Sequence, residues 1–228
     1  MWPTDAHALA AVQRQLADAA PGMWSPGGGQ PLVGACWVCF PRGLTGPGSA
    51  DDPAWAAALV VSGGDVVCRR VVAGVAGAPY VPGLLALRVG PLMERAVQGL
   101  ATRPDVLLLD ATGRDHPRGG GLALHLGAVL GMPTVGITHR PLLAHGAWPD
   151  DRRGATSPLR LDDRVVGCWM RTQPSVRPLV VHPGWQVDLA TAVDLVGSAS
   201  VRWRTPEPLR RARHLARRAR HTASDHGA

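Results

Sequence analysis

Long apolar runs are absent from this sequence: no stretch approaches the ~18 uninterrupted apolar residues of a membrane-spanning helix, which excludes that class. Cysteine is scarce, and the four scattered residues indicate reduced thiols rather than a disulfide framework. The first twenty residues contain Asp5, Arg14 and Asp18 and lack an apolar segment, so we expect no secretory signal and a cytoplasmic protein. Apolar residues nevertheless make up 46% of the 228 residues, which excludes a disordered chain.

Lysine is missing altogether, so all 24 basic residues are arginines, and they are distributed unevenly. Eight arginines and a single acid, Glu207, lie between Arg202 and Arg220, whereas the rest of the chain is close to neutral. A local excess of positive charge favours an anionic partner. Residues 206–220 also carry apolar residues at helical spacing. We therefore expect an arginine-rich helix that docks by its apolar side, binds phosphates with its arginines, or does both.

The spacing of apolar residues predicts a single α/β domain over residues 1–228. A helix at 4–20 precedes three strands of an antiparallel meander, and strands and helices then alternate, as in parallel strands covered by helices. The predicted fold is a mixed sheet, an antiparallel meander plus parallel strands, flanked by helices. The expected strands are 32–40, 56–62, 65–73, 105–110, 133–138, 165–171 and 179–182, the later helices are 91–102, 121–130, 188–198 and 206–220, and 142–163 is expected to be a polar loop.

One carboxylate stands where ligand sites of open α/β sheets collect. Asp110 ends the apolar run 106–109, so it falls at the carboxyl end of a predicted buried parallel strand. The loop that follows, 111–121, is rich in glycine and basic side chains and leads into a helix, an arrangement suited to phosphate. A capping aspartate in an ordinary strand-to-helix turn is the alternative interpretation.

Four segments together resemble the Endonuclease V family. They are PYVPGLLALR at 79–88, LLLDATGRDHPRGGGLALHLG at 107–127, PTVGI at 133–137, and PEP at 206–208 followed by Arg210. The segments occur in the order of the family and close to its spacing, over about residues 32–215. The resemblance implies an RNase H-like fold and ancestry among nucleases that cut DNA or RNA near deaminated adenine (inosine) with Mg²⁺ or Mn²⁺, as in DNA repair.

The resemblance also assigns roles to individual residues. It implies that Asp110 is a catalytic residue and metal ligand, that His139 stands at the catalytic lysine position of the family, and that 79–83 forms a wedge that opens strands beside the lesion. The expected partner is DNA or RNA, held by the cleft and the basic C-terminal helix. The residues expected to contact nucleic acid are Tyr80, Pro82, Gly83, His116, Arg118, Arg210 and Arg213.

Two departures from the family pattern bear on activity. Trp37, or Cys36 if the register slips by one, aligns with the aspartate that the family carries on its first strand. Val89 aligns with the glutamate that follows the PYxPG segment of the family. Asp110 is then the one carboxylate left at the expected metal site, and one carboxylate binds Mg²⁺ weakly. A replacement transition-metal site is an alternative, built from the group His116, His125, His139, His182, Asp110 and Asp115.

Three hypotheses about function follow. The leading one is a pseudoenzyme: an Endonuclease V-like protein that binds nucleic acid and has lost, or strongly reduced, its cleavage. In the second, the cleft is repurposed for a small molecule, a partner protein or different chemistry, because Trp37, Val89 and Trp185 would make it apolar. The third is an active Mn²⁺-dependent endonuclease with a reduced metal site. The cofactor is accordingly Mg²⁺ or Mn²⁺ if the protein is active, or none.

Overall fold

In the computed structural model, residues 2–225 are described, with side chains through residue 223. The predicted domain also included residue 1 and residues 226–228, which lie outside the described part. The described helices are α1 (Ala6–Asp18), α2 (Leu85–Gln98), α3 (Leu122–Leu130), α4 (Leu189–Ala199) and α5 (Glu207–Asp225). The strands are β1 (Val33–Cys39), β2 (Pro53–Ser62), β3 (Asp65–Val75), β4 (Val106–Leu109), β5 (Thr134–Thr138), β6 (Thr156–Leu161), β7 (Arg164–Met170) and β8 (Leu179–Pro183).

The strands form one mixed sheet in the order β3-β2-β1-β4-β5-β8-β7-β6. Strands β1, β4 and β5 run parallel in its centre, and the pairs on either side are antiparallel. This confirms the predicted antiparallel meander joined to parallel strands. The carboxyl ends of β1, β4 and β5 consequently meet at one edge of the sheet, where side chains from three strands can converge.

Helices cover both faces of the sheet. One face packs against α1, α2 and α3, with Leu9, Val89 and Leu126 in a shared core cluster. The other face packs against α4 and α5, with Leu195 and Leu209 in a second cluster. Among residues 2–225, no helix is both long enough and apolar enough to cross a membrane.

Helix α2 begins six residues earlier than predicted. The predicted helix began at Pro91, a residue type that suits a first helical position. In the structure Pro91 lies inside α2, which starts at Leu85. The ring removes the N–H that would bond Leu87, and the apolar face of the helix is nevertheless buried against the sheet. Val89 is therefore a helical residue in mid-element.

The prediction of a polar loop over 142–163 is wrong in its second half. Strand β6 lies there and pairs with β7 around a turn in which Asp162 has φ 52°. Pro158 argued against a strand, since proline cannot donate to a sheet ladder. β6 is the outermost strand of the sheet, the position in a sheet that tolerates proline.

Helix α5 docks onto the sheet by its apolar side. Leu209, Ala212 and Ala216 are buried against β1 and β2, while Arg217 and Arg218 are exposed. The helix runs from beside Val33, at the start of β1, to Phe40 just after its end, where Arg220 donates to the Phe40 carbonyl. The docked helix of the sequence prediction is confirmed, and its arginines lie along the strand that leads to the carboxyl edge of the sheet.

Candidate functional site

The carboxyl edge of the parallel strands brings Asp110 and Trp37 together. Cys36 of β1 pairs with Leu109 of β4, so the next step of the same parallel register sets Trp37 beside Asp110. Adjacent strands lie about 4.8 Å apart, and alternate residues share a face. Both side chains follow Ala35 and Leu108 onto the face that α5 covers. An indole thus stands where the second strand-borne carboxylate was expected.

A pocket of about 350 Å³ opens in front of this edge. Asp110 is the one acid that lines it within the described residues. The pocket combines three segments that the sequence had singled out separately, the 79–83 wedge, the end of β4 and the loop after it. Its lining comprises Gln13, Tyr80, Gly83, Leu85, Ala86, Asp110, Thr112, His116, Leu122, Thr138 and Leu142.

The Asp110 carboxyl has an unusual protonation equilibrium. The residue is open to the pocket, but protein atoms crowd most of its surroundings, and this desolvation raises its pKa to about 6. The positive charge of Arg213 opposes the shift without reversing it. Asp110 is therefore held partly neutral near pH 6.

Val89 lies on α2 next to the pocket, but its side chain is in the core and does not line the pocket. Leu85 and Ala86 line the pocket, and Val89 lies one helical turn further along the same face. Its side chain is only 5% exposed and belongs to the apolar core between α2 and the sheet. The isopropyl group offers no metal-ligating oxygen and packs in the apolar core.

The other nearby acids are engaged elsewhere. The buried Asp115 carboxylate accepts from the backbone N–H groups of Leu142, Leu143 and Ala144 at 2.7–2.8 Å. Glu94 accepts from the Trp2 indole.

Among the described residues, no group of three histidine, cysteine or acidic side chains is placed to hold a metal ion. The side chains around Asp110 therefore do not fit a divalent cation, and the alternative His/Asp metal centre is wrong as well.

The wedge segment projects its aromatic tip into solvent. The Tyr80 side chain is 48% exposed, and its backbone N–H donates to the Pro47 carbonyl at 2.9 Å. Gly83 has φ +79°, a conformation that favours glycine and lets the chain turn from the tip into α2. Pro82 fixes the backbone just before this turn. The sequence therefore forms a rigid tip over the pocket.

Three side chains clamp the base of the wedge on one carbonyl. The Gly83 oxygen accepts from Gln13 Nε2 at 3.0 Å, from His116 Nε2 at 3.0 Å and from an Arg118 Nη2 at 2.7 Å. The Arg118 backbone N–H donates to His116 Nδ1, so the neutral ring carries its proton on Nε2. Burial lowers the pKa of His116 to about 4 and keeps the ring neutral. His116 and Arg118 thus hold the wedge rather than point freely into the pocket.

Sequence reasoning missed Gln13. It sits between Leu9 and Leu16 on the buried stripe of α1 and is 2% exposed. Its Oε1 accepts from Arg118 Nε at 2.6 Å, so the amide of one residue forms hydrogen bonds with both the wedge and the loop after β4. A polar residue on an otherwise apolar helical stripe was the available signal, because burial of an amide requires partners.

The glycines of the loop after β4 have a packing role. A Cβ on Gly120 would lie 2.3 Å from the Gln13 carbonyl oxygen, and one on Gly121 would lie 2.3 Å from that of Thr112. The Gly121 and Ala123 amides donate to the Gly113 and Thr112 carbonyls, respectively. The start of α3 is therefore closed, and the glycines let α1 approach the loop.

Arg213 of α5 reaches the carboxyl edge. Its guanidinium carbon lies 5.3 Å from the centre of the Trp37 ring, and its charge acts on both Asp110 and His139. Its Nε is buried and has no hydrogen-bond partner among the described residues. Sequence analysis had selected Trp37 and Arg213 separately, without predicting that they stack.

His139 follows β5 at the same edge and is exposed. Partial burial, together with the charges of Arg204, Arg213 and Arg177, lowers its pKa. The edge is therefore ringed by guanidinium groups.

Two candidate residues do not join the cleft. Arg210 lies in the first turn of α5, near the start of β1, and pairs with Glu207 at 2.7 Å. Trp185 hydrogen-bonds through its backbone to Thr134, at the amino end of β5. The expectation that Trp185 lines the cleft is wrong, because that end of the parallel strands is opposite the edge with Asp110.

The strand order, the parallel centre and the acid after β4 define an RNase H-like α/β protein. This fold is shared with the crystal structure of Endonuclease V from Streptomyces avermitilis, which is 34% identical in sequence and superposes with a TM-score of 0.87. The match covers 98% of this chain and 96% of the Streptomyces chain. A family model described as Endonuclease V matches residues 45–214. The chain belongs to the Endonuclease V family.

Two further relatives illustrate the range of similarity. Endonuclease V of Nocardia farcinica is 45% identical over 148 residues, a segment that covers 64% of each chain and so slightly less than two thirds of that relative. Endonuclease V of Ciona intestinalis shares the fold at 21% identity, with a TM-score of 0.77 over 95% of this chain and 98% of its own. The Ciona protein was crystallised with a 24mer DNA containing an inosine followed by a ribo-adenosine.

Proposed function

We propose that this chain binds nucleic acid in the cleft and has lost, or strongly reduced, the phosphodiester cleavage of its ancestors. One observation carries the proposal: Asp110 is the single acid lining the cleft within the described residues, with Trp37 beside it and the aligned Val89 buried in the core next to the pocket. The protein is on this view a binding member of a nuclease family.

The chemistry of hard cations explains why these substitutions matter. Mg²⁺ and Mn²⁺ in nuclease sites are held by several oxygen ligands, usually carboxylates, which also offset the charge that builds on the phosphate. Trp37 and Val89 offer no oxygen, and the positive charge of Arg213 near Asp110 opposes a second cation. No catalytic step through a metal follows from these residues.

Features that serve binding remain intact. Tyr80 presents an aromatic ring at the tip of a clamped turn, a group that stacks on bases or separates them. Arginines surround the carboxyl edge, where they can contact phosphates. The DNA complex of the Ciona relative supports nucleic acid as the ligand class, with inosine-containing strands as the first to test.

The test combines cleavage and binding on the same oligonucleotides. Inosine-containing DNA and RNA, single- and double-stranded, are incubated with the protein in Mg²⁺ or Mn²⁺, with guanine-containing strands and the Asp110→Ala variant as controls. We expect wild type and Asp110→Ala to show the same negligible cleavage in denaturing gels, while gel shifts show salt-dependent binding by both.

Two outcomes would contradict the proposal. Mn²⁺-dependent cleavage by wild type that Asp110→Ala abolishes would establish the active, reduced-site endonuclease. Absence of binding to every strand would favour the repurposed cleft, in which the pocket of about 350 Å³ takes a small molecule or a partner protein.

A further inference from the structure

A positively charged side chain lies at the carboxyl edge beside the cleft, close enough to Asp110 to act on its charge. Arg213 projects from α5 onto the face of Trp37, with 5.3 Å between the guanidinium carbon and the ring centre. The indole holds the guanidinium close to its ring, because a cation is attracted to the face of an aromatic ring. Trp37 therefore occupies the aligned carboxylate position and also orients a positive group beside Asp110.

Arg213 differs from the other partly buried arginines in its unmet hydrogen-bonding capacity. Arg88 pairs with Asp52 at 2.8 Å, and Arg211 pairs with Glu207 at 2.9 Å. By contrast, Nε of Arg213 is buried without a hydrogen-bond partner, and Arg213 takes part in none of the ion pairs found within residues 2–225. A buried donor on a charged group is costly unless a ligand satisfies it.

The surroundings of Arg213 attract anions rather than neutralise the guanidinium. Along α5, Arg213 and Arg220 act electrostatically on Arg217, and Arg42 adds its charge from the loop after β1. On the other side, Arg204 and Arg177 act on His139. Asp110 is close enough to feel Arg213 but forms no ion pair with it. The edge therefore presents several positive charges against one carboxylate.

We propose that Arg213, oriented by Trp37, forms a phosphate subsite that binds a phosphodiester of a nucleic-acid strand without any metal ion. The inference rests on the proposed function and adds to it the group that replaces the cation. A guanidinium offers a fork of N–H donors that matches two phosphate oxygens, and its charge does not depend on recruiting a cofactor. Trp37 is a positioning residue: one face of its ring is covered by Arg213, so it orders the guanidinium instead of stacking on a base.

The experiment measures binding of a fluorescein-labelled single-stranded oligodeoxynucleotide by anisotropy in EDTA, over a series of salt concentrations. The variants are Arg213→Ala and Arg213→Lys. The matched control is Arg164→Ala, which removes an exposed arginine at the start of β7, four strands away from β1. Circular dichroism confirms that each variant is folded.

We expect wild type to bind in EDTA and Arg164→Ala to bind equally well. Arg213→Ala should bind about tenfold more weakly, with the slope of log K against log salt reduced by about one, as for the loss of one phosphate contact. Arg213→Lys keeps the charge but not the fork, so it should retain the salt slope and lose part of the affinity. Inorganic phosphate at an equal phosphate concentration should leave the strand bound, since it makes one contact only.

The positioning role of Trp37 has its own readout. Trp37→Phe keeps an aromatic face and should bind nearly as wild type, whereas Trp37→Leu should lose affinity while keeping the salt slope, since the charge of Arg213 remains. If Trp37 had a purely structural role, both variants would lose thermal stability, and their affinity for the oligonucleotide and their salt slope would change together.

Failure of the inference and failure of the proposed function give different results. If wild type binds in EDTA but Arg213→Ala matches Arg164→Ala, the subsite is wrong while nucleic-acid binding stands. If wild type binds only after Mn²⁺ is added, or if inorganic phosphate displaces the strand, the metal-free strand site is wrong. If wild type binds no strand under any condition, the proposed function itself fails.

Discussion

At the scale of single residues, the cleft is defined by the neighbours of Asp110. The register of β1 and β4 sets an indole beside the carboxyl group, and α2 presents Val89 one turn from the pocket lining. Desolvation by these surroundings raises the pKa of Asp110 to about 6. The chemistry that the family resemblance implied depends on carboxylates that these residues do not supply.

The identities of these residues, but not their contacts, could be predicted from the sequence. Val89 was found because the adjacent PYVPGLLALR segment fixes its alignment, and Trp37 because aligning Phe40 and Pro41 places it there, with Cys36 as the alternative. The stack of Arg213 on Trp37 joins residues 176 positions apart, and nothing local to either segment encodes it. Asp115 was a candidate metal ligand until the structure showed three backbone N–H donors on its carboxylate. Side-chain partners of this kind are set by tertiary packing.

Three buried histidines predict acid sensitivity. His116, His125 and His182 are each at most 4% exposed, and burial lowers the pKa of each from 6.5 to about 4. Between these values the unfolded chain binds protons that the folded chain does not, so the free energy of unfolding should fall as pH drops from 6.5 to about 4. Each histidine contributes up to about 3 kcal/mol to this loss. Urea unfolding across this pH range measures it.

A variant isolates one of the three. His125→Phe keeps a ring against Trp2, where the centroids are 4.3 Å apart, and cannot take up a proton. The free energy of unfolding of His125→Phe should fall less steeply with acid than that of wild type, by the contribution of one histidine. Gln15→Leu, an exposed change on α1 at a side chain that does not titrate, should leave the pH slope unaltered. An identical pH slope in wild type and His125→Phe would contradict this assignment.

At the scale of elements, α1 acts as a strut between the wedge and the loop after β4. Its backbone approaches Gly120 so closely that a Cβ there would overlap the Gln13 carbonyl. Its Gln13 amide joins the Gly83 carbonyl to Arg118. Helix, wedge and loop are therefore coupled, although Gln13 and Gly83 are separated by 70 positions.

Element types were predicted better than their limits. Strands β1 to β5 were predicted correctly because apolar residues have a different spacing in buried strands than in amphipathic helices. Helix α2 was misplaced because Pro91 favours a helix start, and β6 was missed because Pro158 disfavours a strand. In both cases tertiary context, a packed helix face and an open sheet edge, overrode the local preference of proline.

The strut predicts the effect of one substitution on wedge order. Gln13→Leu suits the buried stripe of α1, so the helix should remain folded, but Gly83 loses a donor and Arg118 loses an acceptor. The amides of 80–84 should exchange hydrogen faster, and affinity for an oligonucleotide should fall several-fold at unchanged salt slope, since no phosphate contact is removed. Exchange measured by mass spectrometry and anisotropy titrations provide the two readouts.

The matched control is Gln15→Leu, an exposed position on the same helix. It should change neither readout. If Gln13→Leu left both the exchange of 80–84 and the affinity as in wild type, the wedge would be held without α1 and the strut would be refuted.

At the scale of the whole molecule, the sheet order explains why the site has its composition. Three parallel strands end at one edge, α2 and the wedge approach that edge from one face, and α5 approaches it from the other. A cation site would need oxygen ligands from several of these elements at once. Here the end of β4 contributes Asp110, β1 contributes Trp37 and α5 contributes Arg213. The fold is therefore retained, but a guanidinium and an indole accompany the single carboxylate where the family pattern has further acidic residues.

The most direct test of this account is the affinity of the protein itself for Mn²⁺, measured from the electron paramagnetic resonance signal of the free ion during a titration. With one carboxylate and a neighbouring guanidinium, we predict no saturable site below the millimolar range, and the same titration curve for wild type and Asp110→Ala. One Mn²⁺ bound per chain at sub-millimolar concentration, and lost in Asp110→Ala, would contradict the account.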